Sequence, residues 1–213
     1  MKLVIFGASG GTGQHLVQQA LAEGHGVTAF VRRPGSVLAA SSPGLTMVEG
    51  DVYNPSAVSS VIAGQHAVLS ALGARSLGKS DLLEVAVRNI VAGMAACGVR
   101  RIIVLGASGA SEDAAKHQGP GTRLILKLLE STVLREPFRS QREQERLLET
   151  STTDYTIVRP PRLLNGPAKG RYRVQEDGLP PGGVTIDRAD VADFMLRQLT
   201  DKTWIRKGPY VAM

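Results

Sequence analysis

The chain opens with a short unbroken apolar run, Leu3-Val4-Ile5-Phe6 after Lys2, closed by Gly7. A run without polar alternation predicts a strand buried on both faces. Over residues 12–23 the period changes: Leu16, Val17, Ala20 and Leu21 recur at helical spacing, and Gly24 ends the segment. Further apolar strands are predicted over residues 27–31, 45–48, 67–71, 101–105 and 155–158, with helical patterns over 55–63, entered at Pro55, and 81–97. Strand and helix alternate with short connections, which implies parallel strands joined by crossover helices. Right-handed crossovers then give a doubly wound α/β sheet covered on both faces.

Past residue 106 the rhythm changes. A Gly/Ser/Ala-rich loop runs to Gly121, followed by an apolar helical pattern over 122–134 and a charged one to 150. Turns are expected at Pro160-Pro161 and Pro180-Pro181, then a helix opened by Asp187 or Asp190 and running to 199, and a closing strand near Tyr210. Leu124, Leu128 and Leu129 read as core positions on the apolar helix, which could also form a lid or a dimer face. The charged stretch sets Arg135, Arg139, Arg142 and Arg146 among Glu136, Glu143, Glu145 and Glu149, the signature of a solvated helix laced with ion pairs.

Composition agrees with one ordinary domain: 213 residues, 43% hydrophobic, 21% charged and 24 glycines suit a globular α/β chain able to bury its own core. No repeat, linker or break in composition divides it, so residues 1–213 are read as one domain. No apolar run reaches the roughly 18 residues of a membrane helix, so no membrane partner is expected. The first strand begins at residue 2 without a basic leader or an apolar signal core, and Cys97 is the lone cysteine, placed as a small buried hydrophobe. A cytoplasmic setting is expected. The net charge of +6 raises nucleic acid as a ligand, but the basic residues are interleaved with acids and there are few aromatic residues to stack on bases, so a small polyanion is the better reading.

The small polyanion has a place to sit. Gly7-Ala8-Ser9-Gly10-Gly11-Thr12-Gly13 spaces glycines at i, i+3 and i+6, directly after a strand and before a helix. Such a turn brings backbone amides and the positive end of a helix against a diphosphate, so a single Rossmann-type dinucleotide-binding domain is expected. Ser9 and Thr12 could add hydroxyl donors. Where an NAD-type site ends the second strand with an acid, this chain has Arg32 and Arg33. A guanidinium suits a ribose 2′-phosphate that a carboxylate would repel, so NADPH is expected over NADH, unless the pair is simply solvated surface. Asp51 and Val52 follow the third strand, where Asp51 either meets the adenine or caps the turn before Asn54-Pro55. Leu72, Gly73 and Arg75 follow the fourth, at the edge where ligands lie in such sheets.

Taken together, Ile5-Phe6-Gly7-Ala8-Ser9-Gly10, Val31-Arg32, Gly50-Asp51-Val52, Leu72-Gly73 with Arg75, Arg88-Asn89-Ile90-Val91 and Phe194-Met195-Leu196-Arg197 resemble the atypical short-chain dehydrogenase/reductase superfamily. More narrowly they resemble the flavin reductase/biliverdin-IXβ reductase family and its NmrA-like NAD(P)H-binding relatives. The resemblance implies hydride transfer from NADPH to a flat conjugated acceptor, either a flavin acting as substrate (FMN or riboflavin) or a linear tetrapyrrole such as biliverdin. It implies cofactor contacts at Gly7, Ser9, Gly10, Gly11, Thr12, Arg32, Asp51, Val52, Leu72, Gly73 and Arg75. It places Ser108 and Pro160-Pro161 near the nicotinamide, in an acceptor pocket drawn from residues 106–135 and 159–186. This chain departs from the pattern where the family has histidines: Arg162 follows the proline pair, and equal spacing puts Gln141 upstream. Arg162 holds its proton at physiological pH, leaving it to bind an anionic acceptor or stabilise a reduced one.

Other chemistries lack their residues. The tyrosines, 53, 155, 172 and 210, have no lysine four residues on, so the proton relay of ordinary short-chain dehydrogenases and of epimerases is missing. Reduction of a flavin needs less: two planar systems held together, with a proton from solvent. Ser108 is the leading catalytic candidate, as a donor orienting the carboxamide or the acceptor, against the alternative of a small residue that permits a turn. The histidines, 15, 25, 66 and 117, show no metal-ligand spacing, and no metal is expected. The expected partner is thus a small-molecule acceptor, with the chain a monomer or weak dimer. The missing histidines keep open a non-catalytic NADP(H)-sensing regulator, and an epimerase or dehydratase is a further alternative.

Overall fold

Six parallel strands form the centre of the molecule: β1 (Lys2–Phe6), β2 (Gly26–Val31), β3 (Leu45–Glu49), β4 (Ala67–Ser70), β5 (Arg101–Leu105) and β6 (Asp154–Val158). They are seen in a computed structural model that describes residues 1–37, 42–73, 80–111, 113–121, 123–124 and 135–213. The strand order is β3-β2-β1-β4-β5-β6. The chain steps outward from β1 to β3, then returns to lay β4 on the other side of β1, and that reversal opens a crevice at the carboxyl ends of β1 and β4. Register sets those ends level, Phe6 opposite both Phe30 of β2 and Ser70 of β4.

Each strand feeds two apolar layers, as its unbroken run requires. Leu3, Ile5, Ala29 and Leu69 face α1 (Gly11–Ala22) and α5 (Arg188–Arg197), while Val4, Phe6, Val68 and Ile102 face α2 (Pro55–Ile62), α3 (Leu82–Cys97) and α4 (Arg135–Glu149). The helix ends follow local rules. Asn54 accepts from the amides of Ser56 and Ala57 ahead of Pro55, and Gly98 closes α3 at φ +70°. The architecture is the expected doubly wound Rossmann-type domain.

Beyond β5 the sequence reading missed three short strands. β7 (Arg162–Leu164) pairs with β9 (Thr185–Asp187), and β8 (Arg173–Gln175) pairs with the closing strand β10 (Tyr210–Ala212). Each is only three residues long and set among glycines and prolines, too short for a period to show. Isolated bridges from Thr156 to Lys207 and from Arg159 to Tyr210 bring the C-terminal segment alongside β6 and cover that edge.

Three expectations need correction. The charged helix α4 is not solvated all round: Gln141, Gln144, Glu145 and Leu148, spaced i, i+3, i+4 and i+7, form a buried stripe, while the pairs Arg139–Glu136 and Arg146–Glu143 lie outside. Leu124 is 67% exposed rather than core. Cys97 is half-buried, its thiol 3.5 Å from the Ser59 carbonyl. Leu128 and Leu129 lie outside the described residues.

Candidate functional site: a dinucleotide crevice

The glycine turn is shaped as its spacing implies. Gly7 has φ +76°, and a Cβ there would lie 2.7 Å from the Ala71 carbonyl carbon, so the turn is pressed against the end of β4. Gly13 lets α1 close onto the turn; a Cβ would lie 2.0 Å from the Gly7 oxygen. The Gly10 amide donates to Gly7 O at 2.9 Å and tightens the bend. Ser9, Gly10 and Gly11 are exposed, whereas Thr12 is buried, so of the two expected hydroxyls only that of Ser9 is on the surface. No side chain caps α1 and no acid occupies its first turn, so the positive end of the helix is left for an external anion.

At the far end of the crevice Arg32 and Arg33 directly follow β2, both exposed. Among the described residues neither forms an ion pair. The Gly50 amide donates to Val31 O at 2.9 Å, which brings Asp51 and Val52 beside them. Asp51 accepts from the Tyr53 amide at 3.0 Å, the turn-capping role, and its side chain stays exposed. Tyr53 entered the sequence reading only as a tyrosine with no lysine four residues on. The residue is 47% exposed, and its hydroxyl donates to Asp81 at 2.7 Å, an acceptor that pushes its pKa up to about 12. Asn89 was noted only as part of a motif. Its amide donates to Val52 O at 2.8 Å and ties this loop to α3.

Toward the middle, Leu72 is buried and Gly73 exposed beside the turn. Arg75 lies outside the described residues, as does most of the segment between Thr122 and Leu134. After β5, Ser108 is buried, and its amide donates to Pro160 O at 2.9 Å, so the two positions expected near the nicotinamide are joined across β5 and β6. Arg162, two residues on, is exposed on β7.

Behind Ser108 lies a polar network that sequence reasoning did not find. Glu145 of α4 is 6% exposed and pairs with Arg159 at 2.6 Å, and Arg159 also lies over the Tyr210 ring at 5.5 Å. Tyr210 is fully buried and donates to Asp113. Burial raises the Glu145 pKa while Arg159 pulls the other way. Gln141, on the position of the expected histidine, is buried and accepts from Gln144 at 2.9 Å. The only signal in the sequence was polar residues at core spacing.

The geometry thus collects Gly7 to Gly13, Arg32 and Arg33, Asp51 and Val52, Leu72 and Gly73, and Ser108 with Pro160 along the carboxyl edge of one parallel sheet. Residues 7–202 match the model of the NAD(P)H-binding family. The chain belongs to that family. Solved structures with the same fold include a short-chain dehydrogenase/reductase from Veillonella parvula in complex with NADP, at 20% identity and TM-score 0.82, covering 100% of this chain and 94% of that one. An anaerobilin reductase, ChuY from Escherichia coli O157:H7, is 22% identical at TM-score 0.81, covering 100% and 97%. A Bacillus halodurans protein assigned as an NAD-dependent epimerase/dehydratase is also 22% identical at 0.81, covering 100% and 94%. These likenesses carry the Rossmann-type fold alone, with no particular activity or substrate. Among the described residues no cluster of His, Cys, Asp and Glu could hold a metal ion, and no helix is long and apolar enough to cross a membrane.

Proposed function

We propose that the protein is an NADPH-dependent reductase whose acceptor is a flavin or a similar flat conjugated molecule. The observation that carries the cofactor half is the pairing of an uncapped glycine turn with two exposed arginines, and no acid, directly after β2. When bound, NADPH supplies the hydride. The first-turn amides of α1 take its diphosphate, and Arg32 and Arg33 take the 2′-phosphate through charge-assisted hydrogen bonds. Ser108, fixed by its amide bond to Pro160, offers a hydroxyl to the carboxamide or to the acceptor. Arg162 at the exposed rim attracts an acceptor carrying phosphate or carboxylate. Of the network behind Ser108, Gln141 does not titrate, Arg159 and Glu145 are paired with each other, and Tyr210 already donates to Asp113, so none of these side chains is placed to pass a proton to an acceptor. That favours an acceptor whose ring takes hydride and is then protonated by water.

The test is NADPH oxidation with FMN, riboflavin and biliverdin, in the wild type and in Arg32→Ala with Arg33→Ala. Turnover is expected with at least one acceptor, and the double variant should cut the preference for NADPH over NADH at least tenfold. An unchanged preference overturns the 2′-phosphate assignment. Tight NADPH binding with no turnover on any acceptor replaces the reductase with a dinucleotide sensor, the reading that Gln141, buried and engaged with Gln144, supports.

A further inference from the structure

The glycine turn has a neighbour that no motif predicts. Arg188 is the first residue of α5, and its side chain runs across Gly11, the first residue of α1. A Cβ on Gly11 would lie 2.7 Å from Arg188 Cδ, 2.8 Å from Nε and 3.7 Å from the guanidinium carbon. A side chain at position 11 would push the arginine aside.

Electrostatics make this position unexpected. A cation is disfavoured at the N-terminus of a helix, and here a guanidinium sits against the N-terminal turn of α1 while belonging to the N-terminal turn of α5. Neither neighbouring acid pairs with it directly. Asp187 accepts from the Gly166 amide and from Lys169 Nζ, both at 2.8 Å, and Asp190 Oδ1 accepts from the amides of Lys169 and Gly170 at 2.8 Å. The other Asp190 oxygen is buried without a partner, and Arg188 does not pair with it. What Arg188 does reach is neutral: Nη1 donates to Asn165 Oδ1. Asn165 belongs to the loop that Asp187 and Asp190 grip, so the arginine is held in position without being discharged.

We propose that Arg188 is a ligand of the dinucleotide diphosphate, closing on it from the side opposite the turn amides. The assignment rests on the cofactor reading above and adds to it a residue from the C-terminal third of the chain. A diphosphate in the turn supplies the anion that the N-terminus of α1 and the guanidinium lack. Because Asn165 follows β7, which carries Arg162, the same arginine links the cofactor's phosphates to the strand at the acceptor rim.

The diphosphate is common to NADPH and NADH, whereas the 2′-phosphate is not, and that separates Arg188 from Arg32. Calorimetric titration of Arg188→Gln, which keeps the stem over Gly11 and removes the charge, should show NADPH and NADH weakened by the same factor, on the order of tenfold. Arg188→Lys should recover part of that loss. Arg32→Ala should weaken NADPH alone. A second measurement needs no variant: phenylglyoxal labelling of Arg188 in the wild type, read by mass spectrometry, should be blocked by ADP or NADH and not by adenosine. Wild-type affinity for both dinucleotides in Arg188→Gln, or labelling undiminished under saturating ADP, overturns the assignment. If the wild type binds neither dinucleotide, the cofactor reading fails, and this assignment fails with it.

Discussion

A methyl group on Gly13 would lie 2.0 Å from the Gly7 oxygen, whereas on Gly10 its nearest neighbour would be that same oxygen at 3.3 Å. Gly10 also has φ −77° and ψ 165°, a conformation any residue adopts. The fold therefore demands glycine at position 13 far more than at position 10, where a Cβ would meet one tight contact and otherwise face the open space a diphosphate would take. Gly10→Ala should change folding stability by less than about 1 kcal/mol yet weaken NADPH at least tenfold. Gly13→Ala should lower stability by about 1–3 kcal/mol, because the turn and α1 must move apart. Denaturant melts and calorimetry on the two variants check the contrast, and a Gly10→Ala protein that binds NADPH like the wild type would show the open space to be incidental.

Helix α4 illustrates what an element can conceal. Its inner stripe is Gln141, Gln144, Glu145 and Leu148, so a reading by hydrophobic period finds no core face. The burial exists because Arg159, arriving from β6, supplies a buried counter-charge, a contact 14 residues away in sequence and invisible to any local pattern. The parallel sheet and the glycine turn were legible for the opposite reason. Continuous apolar strands, crossover helices and a strand-to-helix turn are each encoded within a few residues. The missed strands β7, β8 and β9, and Arg188 over Gly11, depend on long-range pairing in a region poor in period. Two predictions belong to these elements. Glu145→Leu should cost about 3–5 kcal/mol by leaving Arg159 buried without its partner, while adding Arg159→Met should restore most of the loss in a double-mutant cycle measured by denaturant melts. Near-additive losses would mean that the pair is not energetically coupled. In the loop gripped by α5, the hydrogen bonds from Lys169 and the Gly166 amide hold the Asp187 carboxyl below the usual aspartate range. A depressed carboxylate stabilises the fold above its unfolded pKa and loses that contribution as the pH falls through the folded value. The segment 165–170 should thus loosen in acid below the ordinary aspartate range, seen as faster amide exchange there, and Asp187→Asn should be loose already at neutral pH.

On the scale of the molecule, the candidate contacts come from separate stretches of chain: the turn after β1, the ends of β2, β3 and β4, the Ser108–Pro160 junction over β5 and β6, and Arg188 on α5. No single element contains the site, and in the unfolded chain these groups are far apart. A dinucleotide that binds them together binds only the folded state, and must stabilise it by mass action. At a hundredfold excess over its dissociation constant the gain is about 2.7 kcal/mol, which for a domain of this size raises the melting temperature by roughly 5–10 °C. At equal concentrations NADPH should raise it more than NADH, because only NADPH has the 2′-phosphate proposed for Arg32 and Arg33. In Arg32→Ala the NADPH shift should fall toward that of NADH, whereas Arg188→Gln should lower both shifts and keep their difference. Equal shifts from the two cofactors in the wild type would show that the arginines after β2 do not read the 2′-phosphate, while leaving the diphosphate contacts to be judged by the size of the shift itself.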